Sequence, residues 1–166
     1  MFLITSAAYV NAEFINEFGR LPPAFLPLQN IRLFQHQISE IKNAFPGEEI
    51  LLSLPISFEV PEKDALWLKN ASVKLIFVED NLSLGESVLQ VLRVISSTSH
   101  DSKLRLLHGD TLLPFPKTFD VIAVSDTSDD YTWEVDRISD ISELVWSGYF
   151  AFEYFDEFER VLAKVA

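Results

Sequence analysis

The chain reads as a three-layer α/β/α domain built on a mixed, mostly parallel β-sheet. Two observations predict it. Short apolar runs alternate with amphipathic segments of helical period as far as Leu107, the βαβ rhythm of a parallel sheet covered on both faces. After Asp120 strand-like stretches follow one another instead, so the sheet is expected to be mixed. A composition that is 48% hydrophobic with 14 Phe supports a packed core, and 166 residues suffice to bury one.

Phe2 to Thr5 is an apolar run suited to a central buried strand. Ser6 to Gln29 follows as a long polar and aromatic connection, in which Pro22, Pro23 and Pro27 forbid a regular helix or a central strand. Loops of such length in compact domains are more often functional than idle. Phe34, Ile38, Ile41 and Phe45 recur at helical spacing and predict a helix over Arg32 to Phe45, stopped by Pro46 and Gly47. Glu49 to Leu54 reads as the second strand, closed by Pro55, and Pro61 to Asn70 as a short helix with Leu66 and Trp67 turned inward. Val73 to Val78 is the third strand, ended by Glu79, Asp80 and Asn81. Ser83 with Glu86 three residues on is a capping-box pattern, starting a helix whose apolar positions are Val88, Leu89, Leu92 and Ile95. Ser96 to Ser102 reads as a polar loop, and the fourth strand begins at Leu104.

Phe119 to Val124 is expected to be another buried strand, and Asp126 to Asp130 an acidic, solvated turn. Tyr131 to Val135 suits an edge strand, and Val145 to Phe152 a strand rich in aromatics. Tyr154 to Val165 closes the chain as a helix with Phe155, Phe158, Leu162 and Val165 on one face. No repeat, low-complexity stretch or linker divides the chain. Residues 1–166 are therefore expected to form a single domain, alone or as the N-terminal part of a longer protein.

Charge and composition narrow the function. Acidic residues number 25 against 13 basic ones, a formal charge of −12, and no Lys/Arg cluster interrupts it, so a nucleic-acid partner is not expected. The absence of Cys excludes disulfides, thiolate zinc sites and Cys nucleophiles, and fits a reducing cytoplasm. The opening MFLITSAAYV lacks the basic start of a signal peptide, and no uncharged apolar run is long enough to span a membrane. A cytoplasmic protein with no membrane partner is the expectation.

The stretch around which the chain is organised is Leu104 to Thr111, L-R-L-L-H-G-D-T. An apolar run ends abruptly in His108, Gly109 and Asp110, as when a buried parallel strand delivers one carboxylate to the carboxyl edge of a sheet. In open α/β sheets the ligand crevice lies outside those carboxyl ends. Asp110 is thus a metal or phosphate-side residue behind a Gly that lets a ligand approach, or simply part of a turn.

Further segments, in order, complete a pattern. Ser6-Ala7-Ala8 follows the first strand, and Gly19-Arg20-Leu21 and Leu21 to Leu28 (L-P-P-A-F-L-P-L) precede the first long helix. Glu79 to Gly85 (E-D-N-L-S-L-G), Leu107 to Asp110 (L-H-G-D) and Ser147 to Phe150 (S-G-Y-F) come later. Together they resemble the sugar-1-phosphate nucleotidylyltransferases, the sugar-nucleotide pyrophosphorylases, over nearly the whole chain. The resemblance implies a Rossmann-like fold of the nucleotide-diphospho-sugar transferase type. It also implies a reaction that joins a nucleoside triphosphate and a sugar phosphate to give a nucleotide sugar and pyrophosphate.

By the same resemblance Asp110 would hold a catalytic Mg2+, and Arg20 would steady the phosphates. Ala7, Ala8, Gly19, Arg20, Asp80 and Gly85 would contact the nucleotide, and Gly148 the sugar substrate. The chain departs from the family at named positions. Tyr9 to Phe18 are inserted into the phosphate loop, which has lost its glycines, and the catalytic lysine falls at Pro23 and the base-contacting Gln at Asp80. The family's later E-K-P segment and second metal-binding Asp have no counterpart. A nucleotide- or sugar-phosphate-binding regulatory domain without chemistry is therefore the alternative expectation, and a homo-oligomer stays open. His108 reads as a polar residue at the family's Asn position, and His36 as a partly buried helix residue. No G-x-S-x-G elbow supports Ser/His/Asp catalysis.

Overall fold

The computed structural model describes residues 1–96, 103–125, 135–139 and 142–165. The core strands form where apolar runs are bounded by turn residues: β1 (Phe2–Thr5), β4 (Ile50–Pro55), β5 (Val73–Val78) and β6 (Leu104–His108). Between them run α2 (Leu33–Ala44), α3 (Glu62–Asn70) and α4 (Leu84–Ser96). The chain then turns to β7 (Val121–Ser125), β8 (Val135–Ser139) and β9 (Ser142–Phe152), and ends in α5 (Phe155–Val165). The sheet order is β5-β4-β1-β6-β9-β7, with β8 also pairing with β9. β1, β4, β5 and β6 are mutually parallel, and β9 runs antiparallel to β6, β7 and β8. This is the mixed, mostly parallel, Rossmann-like α/β/α fold expected.

The two-residue period of the strands sorts their side chains into two cores. Phe2, Ile4, Ile50, Leu52 and Leu54 pack on one face against Phe34, Ile38 and Ile41 of α2 and Leu68 of α3. Leu3, Leu51 and Leu106 pack on the other against Val88, Val91, Leu92 and Ile95 of α4 and Phe155 of α5. Each such side chain stabilises the fold by about 1.5–3 kcal/mol when fully buried. The α4 capping box forms as expected: Ser83 Oγ accepts from the Glu86 N–H at 3.2 Å, and Glu86 Oε2 accepts from the Ser83 N–H at 2.8 Å.

Several expectations are corrected. The long connection after β1 contains a helix, α1 (Ala12–Phe18), placed ahead of the prolines and capped by the Asn11 side chain. A 3-10 turn over Pro23–Phe25 and a short ribbon of β2 (Pro27–Leu28) with β3 (Ile31–Arg32) complete it. Leu66 faces solvent at 58% exposure, whereas Trp67 does pack on the core, because one turn of α3 cannot point both neighbours inward. The strand expected over Phe119 to Val124 is β7, and it is not buried: it is the last strand beside β9, with Ile122 and Val124 exposed. Val165 is exposed at the end of α5, while Phe155, Phe158 and Leu162 of the same face are packed. The acidic turn Asp126 to Asp130, most of the loop Ser96 to Ser102 and Tyr131 to Glu134 lie outside the described residues.

Candidate functional site

The strand order places the first and fourth parallel strands side by side with their successors on opposite flanks. That is the topological switch point, where a crevice opens beyond the carboxyl ends. Register aligns those ends: Thr5 lies opposite Ser53 on one side and opposite His108 on the other. Ser6, Ala7 and Ala8 leave the end of β1, and Gly109, Asp110 and Thr111 leave the end of β6.

Ser6 is buried and ties three elements together. Its N–H donates to the Ser53 carbonyl oxygen at 3.2 Å, and its hydroxyl accepts from the Ala24 N–H at 3.0 Å. The L-P-P-A-F-L-P stretch is thereby packed onto the sheet, with Ala24 and Phe25 fully buried. Prolines confine this segment to the 3-10 turn, and the hydroxyl of Ser6 satisfies one of its free N–H groups.

A hollow of about 100 Å³ opens beside Ser6. Thr5, Ser6, Ala7, Ala8 and Pro23 form one wall, and Leu82, Leu84 and Ser87 the other. Ala7 and Ala8 line this hollow, and Gly85 sits in the first turn of α4 beside Leu84. The lining is mainly apolar, with the hydroxyls of Thr5, Ser6 and Ser87 among it.

Arg20 and Asp80 lie on the β4–β5 side of the same edge, linked through Tyr9 and Ser57. The Arg20 guanidinium lies 3.8 Å from the centre of the Tyr9 ring, and the Tyr9 hydroxyl is 2.7 Å from Ser57 Oγ. Asp80 Oδ1 accepts from the Ser57 N–H at 3.3 Å. Hydrogen bonding from Ser57, its hydroxyl foremost, and the charge of Arg20 hold the Asp80 carboxyl below its ordinary value. Gly19 adopts φ +80° with open space around its Cα, allowing the chain to turn from α1 into Arg20.

Asp110 stands exposed at the end of β6, its carboxylate accepting from the Thr111 hydroxyl at 3.3 Å. Gly148 of β9 is buried behind this turn at φ +71°, where a Cβ would meet Thr111 Oγ1 at 2.5 Å and His108 at 3.0 Å. His108 is half-buried against the Phe150 ring, and His36 is likewise half-buried, bonded to the Leu28 carbonyl oxygen. Among the described residues no three His, Asp or Glu side chains gather as a metal-holding group. Asp110 alone fits Mg2+ in one way: that ion commonly takes one or two carboxylates and completes its shell with water and substrate phosphates.

Sequence reasoning missed Tyr9, Ser57 and Gln37. Gln37 is fully buried, and its amide bonds the backbone on both sides of Gly109 and Asp110. A signal was present, since Gln37 interrupts the apolar stripe of α2 one turn from Leu33 and from Ile41.

No protein-family model matches the sequence, and no curated protein does. Solved structures do. A nucleoside-diphosphate-sugar pyrophosphorylase from Vibrio cholerae matches at TM-score 0.73 and 13% identity, over 99% of this chain and 78% of its own. HddC from Yersinia pseudotuberculosis matches at TM-score 0.67 and 15% identity, over 96% of this chain and 78% of its own. An inositol-1-phosphate CTP transferase from T. maritima matches at TM-score 0.59 and 17% identity, over 91% of this chain and 69% of its own. The likeness read from the motifs is thus a likeness of three-dimensional structure: this chain has the fold of nucleotide-sugar pyrophosphorylases and related nucleotidyltransferases.

Proposed function

We propose that this chain binds a nucleoside triphosphate in the crevice beyond β1 and β6 and joins it to a sugar phosphate, releasing pyrophosphate. The observation that carries the reading is the switch point itself. There a hollow walled by Ser6, Ala7 and Ala8 and a strand-end carboxylate, Asp110, share one edge of a nucleotidyltransferase-type fold. The base would lie between Ala7–Ala8 and the first turn of α4, where Gly85 presents no side chain. Arg20, one face of whose guanidinium is covered by the Tyr9 ring, would steady phosphate oxygens with its N–H donors. The sugar phosphate would approach from the β9 side, where Gly148 meets the turn.

In this reaction an oxygen of the sugar phosphate attacks the α-phosphorus, and a new P–O bond forms there. The bond to the β-phosphate oxygen breaks, and pyrophosphate leaves with the electron pair. Asp110 would hold Mg2+, which when bound supplies neutralisation of the phosphate charge. Positioning and charge stabilisation are the main demands of such transfers.

A second reading, binding without turnover, is favoured by Pro23. It opens the 3-10 turn at the position of the family's lysine and carries no charge. Calorimetric titration with ATP, CTP, GTP and UTP, in Mg2+ and in EDTA, tests binding. Pyrophosphate release with a panel of sugar phosphates tests turnover. The first reading expects one triphosphate to bind and release that disappears in Asp110→Asn. Binding without release selects the second reading, and no binding by the folded chain overturns both.

A further inference from the structure

Gln37 lies inside the apolar face of α2 and is completely buried. Its Nε2 donates to the His108 carbonyl oxygen at 2.9 Å and to the Thr111 carbonyl oxygen at 2.7 Å. These two carbonyls flank Gly109 and Asp110, and the Thr111 N–H closes the same turn by donating to the His108 oxygen at 3.1 Å. One side chain therefore grips both ends of the turn that carries Asp110. The acceptors decide the amide's orientation, because a flipped amide would set its oxygen against two carbonyl oxygens.

The Gln37 Oε1 atom is buried with no hydrogen-bond partner among the described residues. Such an orphan is costly, and a Leu or Met would fill the space without one. What the amide contributes is its pair of donors. On the front of the turn the Gly109 N–H donates to the Thr5 carbonyl oxygen at 2.8 Å, so the segment is clamped from both sides.

Resting on the reading of Asp110 as the Mg2+-holding residue, we infer that Gln37 is the positioning residue of that site. It sets the direction in which the turn from His108 to Thr111 presents the Asp110 carboxylate. Partners behind a metal ligand matter strongly: removing them commonly costs about 10–100-fold in metal affinity or activity.

The test compares triphosphate affinity in EDTA and in Mg2+ for the full chain, with ATP, CTP, GTP and UTP as probes. In Gln37→Met the gain in affinity that Mg2+ brings is expected to shrink by about tenfold. Affinity in EDTA should stay within about twofold of wild type, since the hollow is built from other residues. In an Asp110→Asn background, Gln37→Met should change nothing further, because its effect travels through that carboxylate. With these variants, three results overturn the inference alone: an unchanged Mg2+ gain, an equal loss in EDTA, or an equal effect in the Asp110→Asn background. A wild-type chain with the same affinity in EDTA and Mg2+ overturns the reading of Asp110 and the inference with it. A wild-type measurement guards against a variant that fails to fold. The Gln37 side-chain N–H resonances should move when Mg2+ is added to the triphosphate complex, and stationary resonances overturn the inference.

Discussion

The backbone N–H of Gly109 donates to the carbonyl oxygen of Thr5 at 2.8 Å, joining the end of β6 to the end of β1 where the crevice begins. A Cβ on Gly109 would lie 2.8 Å from Ser6 Oγ, 2.9 Å from Ser6 Cβ and 3.0 Å from the Thr5 oxygen. Ser6 is buried and already bonded to Ala24, so it has little room to yield. Gly109→Ala is expected to cost about 1–3 kcal/mol by overpacking. Urea unfolding measures that loss, and titration should show weaker triphosphate binding in the same variant.

Arg105 of β6 is 3% exposed and donates to Glu48 Oε1 at 2.9 Å, while the Glu48 side chain is 28% exposed. Its guanidinium also lies 4.3 Å from the Phe45 ring centre and 4.1 Å from that of Phe119. The two partners should respond unequally. Glu48→Leu strands a buried cation and is expected to cost about 3 kcal/mol, whereas Arg105→Met leaves a carboxylate that water still reaches and should cost less. Equal losses in chemical denaturation would refute the asymmetry.

Asp80 and Glu86 both have carboxyl pKa values below the ordinary 3.8 and 4.5, through hydrogen bonds from Ser57 and Ser83 respectively. A lowered folded-state pKa means that the unfolded chain binds more protons at acidic pH, so stability rises with pH there. Both contributions are full above those ordinary values and disappear as pH falls through the lowered ones. Glu86→Gln should flatten the acid limb of a melting-temperature profile, and Ser83→Ala should cost about 1 kcal/mol at neutral pH through loss of the cap.

Tyr9 serves Arg20 by its ring and Ser57 by its hydroxyl. Tyr9→Phe keeps the ring and should leave triphosphate affinity within about twofold. Tyr9→Leu removes the platform and should weaken binding by about 2–5-fold, the value of an exposed cation–π contact. Arg20→Met should cost about tenfold if the guanidinium bonds phosphate. A Tyr9→Leu variant that binds as well as wild type would separate the stack from the site.

The elements set by local pattern are legible in the sequence. β1, β4, β5 and β6 are predominantly apolar runs bounded by turn residues, α4 announces itself with Ser83 and Glu86, and α2 shows an apolar stripe broken only by Gln37. α1 is hidden because its residues are all exposed, so no apolar stripe marks it, and the prolines that follow it suggest an irregular loop. β7 was misread as buried because Val121, Ile122, Ala123 and Val124 are all apolar, and only its place beside β9 tells which face meets solvent.

At the candidate site the division is similar. From the sequence alone came the strand-end carboxylate at Asp110, the small residues Ala7 and Ala8, and the pairing of a fold class with the motif order. The carboxylate follows from the apolar run of β6 and the residues that end it, and the rest from the resemblance to the nucleotidylyltransferases. Tertiary structure decided that Tyr9, Arg20, Ser57 and Asp80 meet, and that Ser6 leaves no room for a side chain on Gly109. It also decided that Gln37 grips the turn 71 residues away along the chain. Such contacts depend on strand order and register, which bring distant positions within hydrogen-bond reach and leave no periodic trace in the chain.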